Sequence, residues 1–280
     1  MRVHAVALAS TPDAEANLAL ALAAVRAAAD DGAALVVLPE YARAFDPRGV
    51  GRAQAEPLDV GFVPALQAAA REHGVAVVAG TVAPDGALAA NVVVAVDAAG
   101  ELVGAYRKVH LYDAFGHRES DRLVAGDADA APVVVTLGQD VDGDVDGDAG
   151  GLRVGVLTCY DLRFPESARR CVDAGADVLV VPAAWATGSH KEEHWRTLLR
   201  ARAIENTCYV IGAAQQGRGV TGSSTVIDPD GVVLAEAGGP PGGGPSAAVA
   251  EVSADVVASV RERNPSLANR RYAVVPLPGA

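Results

Sequence analysis

Residues Gly151 to Glu166 read GLRVGVLTCYDLRFPE. The apolar run Leu152 to Leu157, with β-branched Val154 and Val156, suits a buried strand better than a helix. It stops at Thr158-Cys159. The turn-prone residues Tyr160-Asp161-Leu162-Arg163 follow, and Pro165 then opens a helix over PESARRCVDAGA. A strand that turns directly into a helix predicts an α/β fold. It also puts Cys159 at the carboxyl end of a central strand, the edge where open α/β sheets bind ligands. Read alone, Cys159 is equally a buried structural cysteine.

Working outward, the same grammar recurs. Val3 to Leu8 reads as a strand. Ser10-Thr11-Pro12-Asp13 reads as a helix start with a hydroxyl cap, leading to a helix that stops near Gly32. Ala33 to Leu38 is a second buried strand. It closes on Pro39, which cannot continue a central ladder, and so leaves Glu40 at a strand end. Tyr41 to Val63 is irregular, Pro64 to His73 a helix, and Val75 to Val82 a strand. Asn91 to Val96 and Leu102 to Tyr106 form a hairpin over Asp97-Ala98-Ala99-Gly100. That hairpin delivers Lys108 at the end of its second strand, where a solvated lysine is the ordinary reading.

Downstream, Asp177 to Val181 is a strand ending in Pro182-Ala183-Ala184-Trp185. A helix covers HKEEHWRTLLRARAIENT, and Tyr209 to Ala214 is a strand. Thr225 to Ile227 and Val232 to Glu236 make a hairpin, Ala247 to Val252 a last strand, and Ala254 to Arg263 a last helix. No linker divides residues 1–280, so they read as a single domain with a tail over 264–280.

Composition limits the function classes. Half of the 280 residues are hydrophobic but only 4% aromatic, so Ala, Val and Leu must fill the core. A net charge of −12 and a pI near 4.9 argue against nucleic acid or an anionic membrane as partner. Cys159, Cys171 and Cys208 form no CxxC pair, and their odd number fits a reducing compartment. MRVHAVALAS is too short for a signal peptide, and no apolar run reaches the roughly 20 residues of a membrane span. A cytoplasmic enzyme is the expectation.

Two metal motifs compete for attention. The Asp-rich segment over 140–148 matches the opening of a calcium loop from Asp142. Its twelfth position is Arg153, inside a strand, so a solvated loop is the better reading. His190-Lys191-Glu192-Glu193-His194 matches H-x-x-E-H but lacks a clear third ligand. No metal is expected.

Glu40, Lys108 and Cys159 together suggest a mechanism. A free thiol has a pKa of about 8.5. A neighbouring ammonium favours its thiolate, and a carboxylate in a dry pocket can act as general base. The ammonium and the Tyr160 backbone N–H would hold a developing oxyanion. No G-x-S-x-G elbow points to a serine hydrolase. His194 is the alternative partner for a Cys-His pair.

These blocks carry a resemblance. LPEY around Glu40, YRKVHLYD around Lys108 and TCYDLRFPE around Cys159 resemble, in order, the three blocks of the nitrilase (carbon–nitrogen hydrolase) superfamily. HWRTLLRARAIENTCYVIGAAQ resembles its following helix and strand. The likeness is greatest to the Nit, omega-amidase-like branch. Tyr160-Asp161 stands where true nitrilases usually carry Trp-Glu, which favours amides over nitriles.

The resemblance implies a four-layer α-β-β-α sandwich and a homodimer or larger homo-oligomer. It implies Glu40 as general base, Cys159 as nucleophile, Lys108 as oxyanion stabiliser and Glu119 as a second glutamate positioning the lysine or substrate. The expected reaction converts a small amide to acid and ammonia through a thioester, with no cofactor. Arg163, Arg118, Lys191 and Trp185 are candidate substrate contacts, and Cys171 and Cys208 core residues. An N-carbamoyl amide hydrolase, a nitrile hydrolase with the same residues, and a binding or regulatory protein on an inactive fold remain open. The lipoprotein acyltransferase branch would need membrane spans, and the NAD synthetase branch a second domain.

Overall fold

A computed structural model of the chain describes residues 1–137, 151–221, 223–238 and 245–277. The Asp-rich segment and most of the Gly-Pro-rich stretch near residue 241 lie outside the described residues. The first half runs β1 (Arg2–Ala7), α1 (Ala14–Asp30), β2 (Leu35–Val37), α2 (Phe62–His73), β3 (Ala76–Asp85), β4 (Leu88–Val96) and β5 (Leu102–Arg107). The second runs β6 (Val134–Leu137), β7 (Leu152–Val156), α3 (Pro165–Asp173), β8 (Val178–Ala183), α4 (Lys191–Asn206), β9 (Tyr209–Ala214), β10 (Ser224–Ile227) and β11 (Val233–Ala237). β12 (Ser246–Glu251) and α5 (Ala254–Arg263) close the chain.

The strands form two six-stranded sheets, in the orders β12-β1-β2-β3-β4-β5 and β11-β10-β9-β8-β7-β6. Both follow one plan. Three parallel strands carry an antiparallel pair on one side and a single antiparallel strand on the other. The central strands are mostly apolar because both of their faces are largely covered, His4 in β1 and Arg153 in β7 being exceptions. Val3, Ala5, Val37 and Val78 of one sheet pack on Val154, Val156, Val180 and Ile211 of the other. α1 and α2 cover the outer face of the first sheet through Val25, Ala28, Leu66 and Ala70. α3 and α4 cover the second through Ala168, Cys171, Trp195 and Leu199. The result is the expected α-β-β-α sandwich, with Cys171 and Cys208 in its core.

This topology places the site. β5 is antiparallel to β4, which is antiparallel to β3, so β5 points the same way as β2. A parallel bridge from Leu8 to Gln215 joins the ends of β1 and β9. The carboxyl edges of the two sheets therefore lie together, and the residues that follow β2, β5, β7 and β8 share one rim.

Three local expectations are corrected. Asp13, not a hydroxyl residue, caps α1, accepting from the Glu15 and Ala16 N–H groups. β3 runs on through Pro84 to Asp85 and forms a hairpin with β4 around Gly86, at φ +55°. β8 continues through Pro182 to Ala183. In both strands the proline is tolerated because one neighbour stops short. β2 pairs with β3 only as far as Val78, and β7 pairs with β8 only as far as Val180.

Candidate active site

Lys108 and Glu40 are each only 1% exposed, which overturns the solvated reading of the lysine. Burying an unpaired ammonium would be prohibitive. Two carboxylates compensate: Nζ lies 3.0 Å from Glu40 Oε1 and 2.9 Å from Glu119 Oε2. Burial opposes the lysine's charge, but Glu119 and then Glu40 outweigh it and hold its pKa well above the usual 10.5.

Each carboxylate is fixed in turn. Glu40 Oε1 also accepts from Asn91 Nδ2 at 2.7 Å, and Oε2 accepts the Ala184 N–H at 2.8 Å. Glu119 accepts from the Tyr41 hydroxyl at 2.6 Å and the Tyr112 N–H at 2.7 Å. Against the cost of burial, Lys108 and these donors keep its pKa below the usual 4.5. Gln215 Nε2 donates to the Glu40 carbonyl at 2.9 Å and ties this turn to the end of β9. Gly80 packs so closely that a Cβ there would lie 2.4 Å from the Glu40 Cα.

Cys159 begins the short 3₁₀ turn Cys159–Arg163 after β7. Its φ is +45°, a left-handed backbone that costs a non-glycine residue about 1–2 kcal/mol. Such strain persists where the surroundings enforce it and clusters at functional sites. The Tyr160 N–H follows in the first turn, where N–H groups lack partners within the helix. Cys159 is 8% exposed and lines a cleft of about 560 Å³ together with Glu40, Lys108 and Glu119.

Its ionisation differs from the expectation. Burial first, and Glu40 second, push the Cys159 thiol well above its usual 9.0, and Lys108 pulls it down without prevailing. The resting group is therefore a neutral thiol beside a carboxylate. The expected pull of the ammonium toward the thiolate is present, but burial and the carboxylate outweigh it.

The other candidates separate. Arg163 stacks its guanidinium 5.0 Å from the Trp185 ring and 5.6 Å from the Phe115 ring. Its buried Nε has no hydrogen-bond partner. Lys191 is buried, donates to the Tyr112 hydroxyl at 2.7 Å and lies 3.7 Å from the Phe115 ring centroid. Burial and Arg163 hold its pKa below the usual lysine value. Arg163, Lys191 and Trp185 line a small recess that reaches Cys159, although the Trp185 Nε1 is spent on the Lys191 carbonyl.

Arg118 sits on the outer rim, exposed and paired with Asp121. His194 meets Arg163 at 3.3 Å and lines neither cavity. Among the described residues no group of three His, Cys, Asp or Glu is placed to hold a metal, so the H-x-x-E-H match does not form a site. No helix there is long and apolar enough to cross a membrane.

Sequence reading missed Asn91, Tyr41, Tyr112, Gln215 and the Ala184 N–H. Asn91 gave a signal: a lone amide inside ALAANVVVAV needs a buried partner.

Comparisons with known proteins identify the family. The family model described as carbon-nitrogen hydrolase matches residues 2–262. Deaminated glutathione amidase of Escherichia coli O157:H7 is 37% identical over 92% of this chain and 93% of its own. The bovine protein of that name is 33% identical over 94% of this chain and 79% of its own. The Caenorhabditis elegans NitFhit structure superposes with a TM-score of 0.81 at 29% identity, over 98% of this chain and 66% of that longer one. A glutamate-to-glutamine variant of an amidase from Nesterenkonia sp. AN1 superposes with a TM-score of 0.76 at 27% identity, over 97% of this chain and 94% of that one. That structure carries the acetamide moiety of fluoroacetamide on its active-site cysteine.

The chain belongs to the carbon-nitrogen hydrolase family, the nitrilase superfamily, in its Nit-like branch. Within that class it is a cysteine-dependent, omega-amidase-like amidohydrolase, acting on carbon–nitrogen bonds other than peptide bonds.

Proposed function

We propose that Cys159 is the nucleophile, Glu40 the general base, Lys108 the oxyanion stabiliser and Glu119 the residue that positions Lys108. The substrate is a small amide bearing a carboxylate. As the sulfur attacks the amide carbon, Glu40 takes the thiol proton. The oxyanion forms against Lys108 Nζ and the Tyr160 N–H. Glu40 returns the proton to the nitrogen, ammonia leaves, and a thioester remains on Cys159. Water attacks the thioester and gives Glu40 a proton. The acid leaves, and that proton restores the thiol. These steps call on three side chains, one backbone N–H and water, and need neither metal nor organic cofactor.

The observation that carries this reading is the buried ammonium held between Glu40 and Glu119 in the cleft that Cys159 also lines. Arg163 and Lys191 beside the thiol support an acyl group that carries an acid, as do the names of the amidase relatives. A cytoplasmic homodimer belongs to the same reading.

The test is ammonia release from a panel of small amides, N-carbamoyl compounds and nitriles. We expect turnover of succinamate or 2-oxoglutaramate and its loss in Cys159→Ala. Release from N-carbamoyl compounds alone would shift the substrate class. Silence across the panel, with no acyl adduct on Cys159, would defeat the reading and favour a binding or regulatory protein.

A further inference from the structure

Asp161 is fully buried, two residues past Cys159, and lines neither cavity. Nothing in the mechanism uses it. Yet its carboxylate receives four donors. Oδ1 takes the His110 N–H at 3.1 Å and His110 Nδ1 at 2.8 Å. A carboxylate only accepts, so the proton on that ring lies at Nδ1. Oδ2 takes the Tyr106 hydroxyl at 2.8 Å and the Thr158 N–H at 3.1 Å.

The origin of these donors matters. Tyr106 and His110 flank Lys108 by two residues on either side and belong to the first sheet and the segment leaving it. Thr158 immediately precedes Cys159 and leaves the second sheet. One carboxylate therefore joins the backbone beside the cation to the backbone beside the thiol. The Thr158 side of the joint is doubly held, because the Asp161 N–H returns to the Thr158 carbonyl at 3.0 Å and Thr158 Oγ1 donates to the Pro182 carbonyl at 2.9 Å. The His110 side is held by its ring, which stacks on Phe164 at 3.8 Å. The residue enclosed by these bonds is Cys159, whose left-handed φ needs such enforcement.

We propose that Asp161, with Tyr106 and His110, is a positioning clamp that fixes the Cys159 sulfur against Lys108 and Glu40 across the junction of the two sheets. It rests on the assignment of Cys159 as nucleophile. The clamp needs a carboxylate and not its amide. Each oxygen faces one backbone N–H, and a backbone donor cannot reverse. Whichever way an asparagine is turned, its NH₂ meets a backbone N–H and opens one side of the joint.

The test uses the whole protein carrying Asp161→Asn, Tyr106→Phe, His110→Ala or His110→Asn. Three quantities are read: melting temperature, kcat and KM on the best amide, and the rate of Cys159 alkylation by iodoacetamide. Misplacing reacting groups by about 1 Å costs about 10²-fold, so D161N should lose about that much kcat with KM nearly unchanged. Alkylation should slow by roughly tenfold or more for the same reason. H110A should lose kcat, whereas H110N, whose amide nitrogen reaches the place of Nδ1, should recover most of it. If D161N fails to fold, Tyr106→Phe and the His110 pair carry the test. Folded variants with parental kcat and parental alkylation overturn the proposal, and so does H110N failing alongside H110A. If the parent turns over no amide, the activity reading fails, while the alkylation rates still read the clamp.

Discussion

Lys108 shows how a single side chain sets the character of the site. It is the only cation in contact with both Glu40 and Glu119 among the described residues. Lys108→Met would leave buried Glu40 and partly buried Glu119 without their shared cation, held only by neutral donors. Breaking a buried pair in this way costs about 3–5 kcal/mol. We therefore expect a large drop in urea stability together with the loss of turnover; a variant that loses only activity would contradict the electrostatic account. The Cys159 thiol makes a second prediction. Its pKa is raised, so the thiolate fraction grows only as pH climbs past the usual 9.0. The alkylation rate should show no inflection near the free-thiol value of about 8.5. An inflection there would mean that Lys108 cancels burial and Glu40, and one below it that Lys108 prevails. Neither the burial of Lys108 nor the protonation of Cys159 was legible in the chain. Charge type and strand position are written locally, whereas desolvation depends on what packs above them.

At the scale of elements, the strand ends carried the readable information. Apolar runs closed by Glu40 and Cys159 announced where those groups would emerge, because a strand buried on both faces must be apolar until it leaves the core; Lys108 follows β5, a largely exposed strand. The supports of those groups were not readable. The Ala184 N–H reaches Glu40 from 144 positions away, and Gln215 Nε2 reaches its carbonyl from 175. Such pairings depend on how two sheets stack, which no local pattern encodes. Pro182 misled for a related reason: it reads as a breaker, and it is tolerated because the neighbouring strand β7 has already ended. The contact of β3 with the Glu40 turn gives a prediction at this scale. In Gly80→Ala the new methyl would meet the Glu40 Cα and force the base away from Lys108. We expect kcat to fall by about 10²-fold with the fold retained, as read by turnover beside circular dichroism. Parental turnover would show that the Glu40 turn is looser than its packing implies.

For the whole molecule, the α/β class followed from the alternation of strands and helices, whereas the four-layer sandwich and the pairing of copies were legible only through the family resemblance. The proposed homodimer predicts a light-scattering mass of twice the 28.3 kDa chain; a monomer mass with full turnover would remove assembly from the functional account. Exposed Tyr272, Val275 and Leu277 near the end of the described chain mark apolar surface that assembly would cover.

The two-part plan of the strands also bears on biosynthesis. The carboxylates and the ammonium emerge from the ribosome before the sulfur does, and each contingent hangs from its own sheet. A polypeptide interrupted midway would hold acid and cation without anything to attack with. On the proposed roles, a chain that stalls before Cys159 can form no thioester.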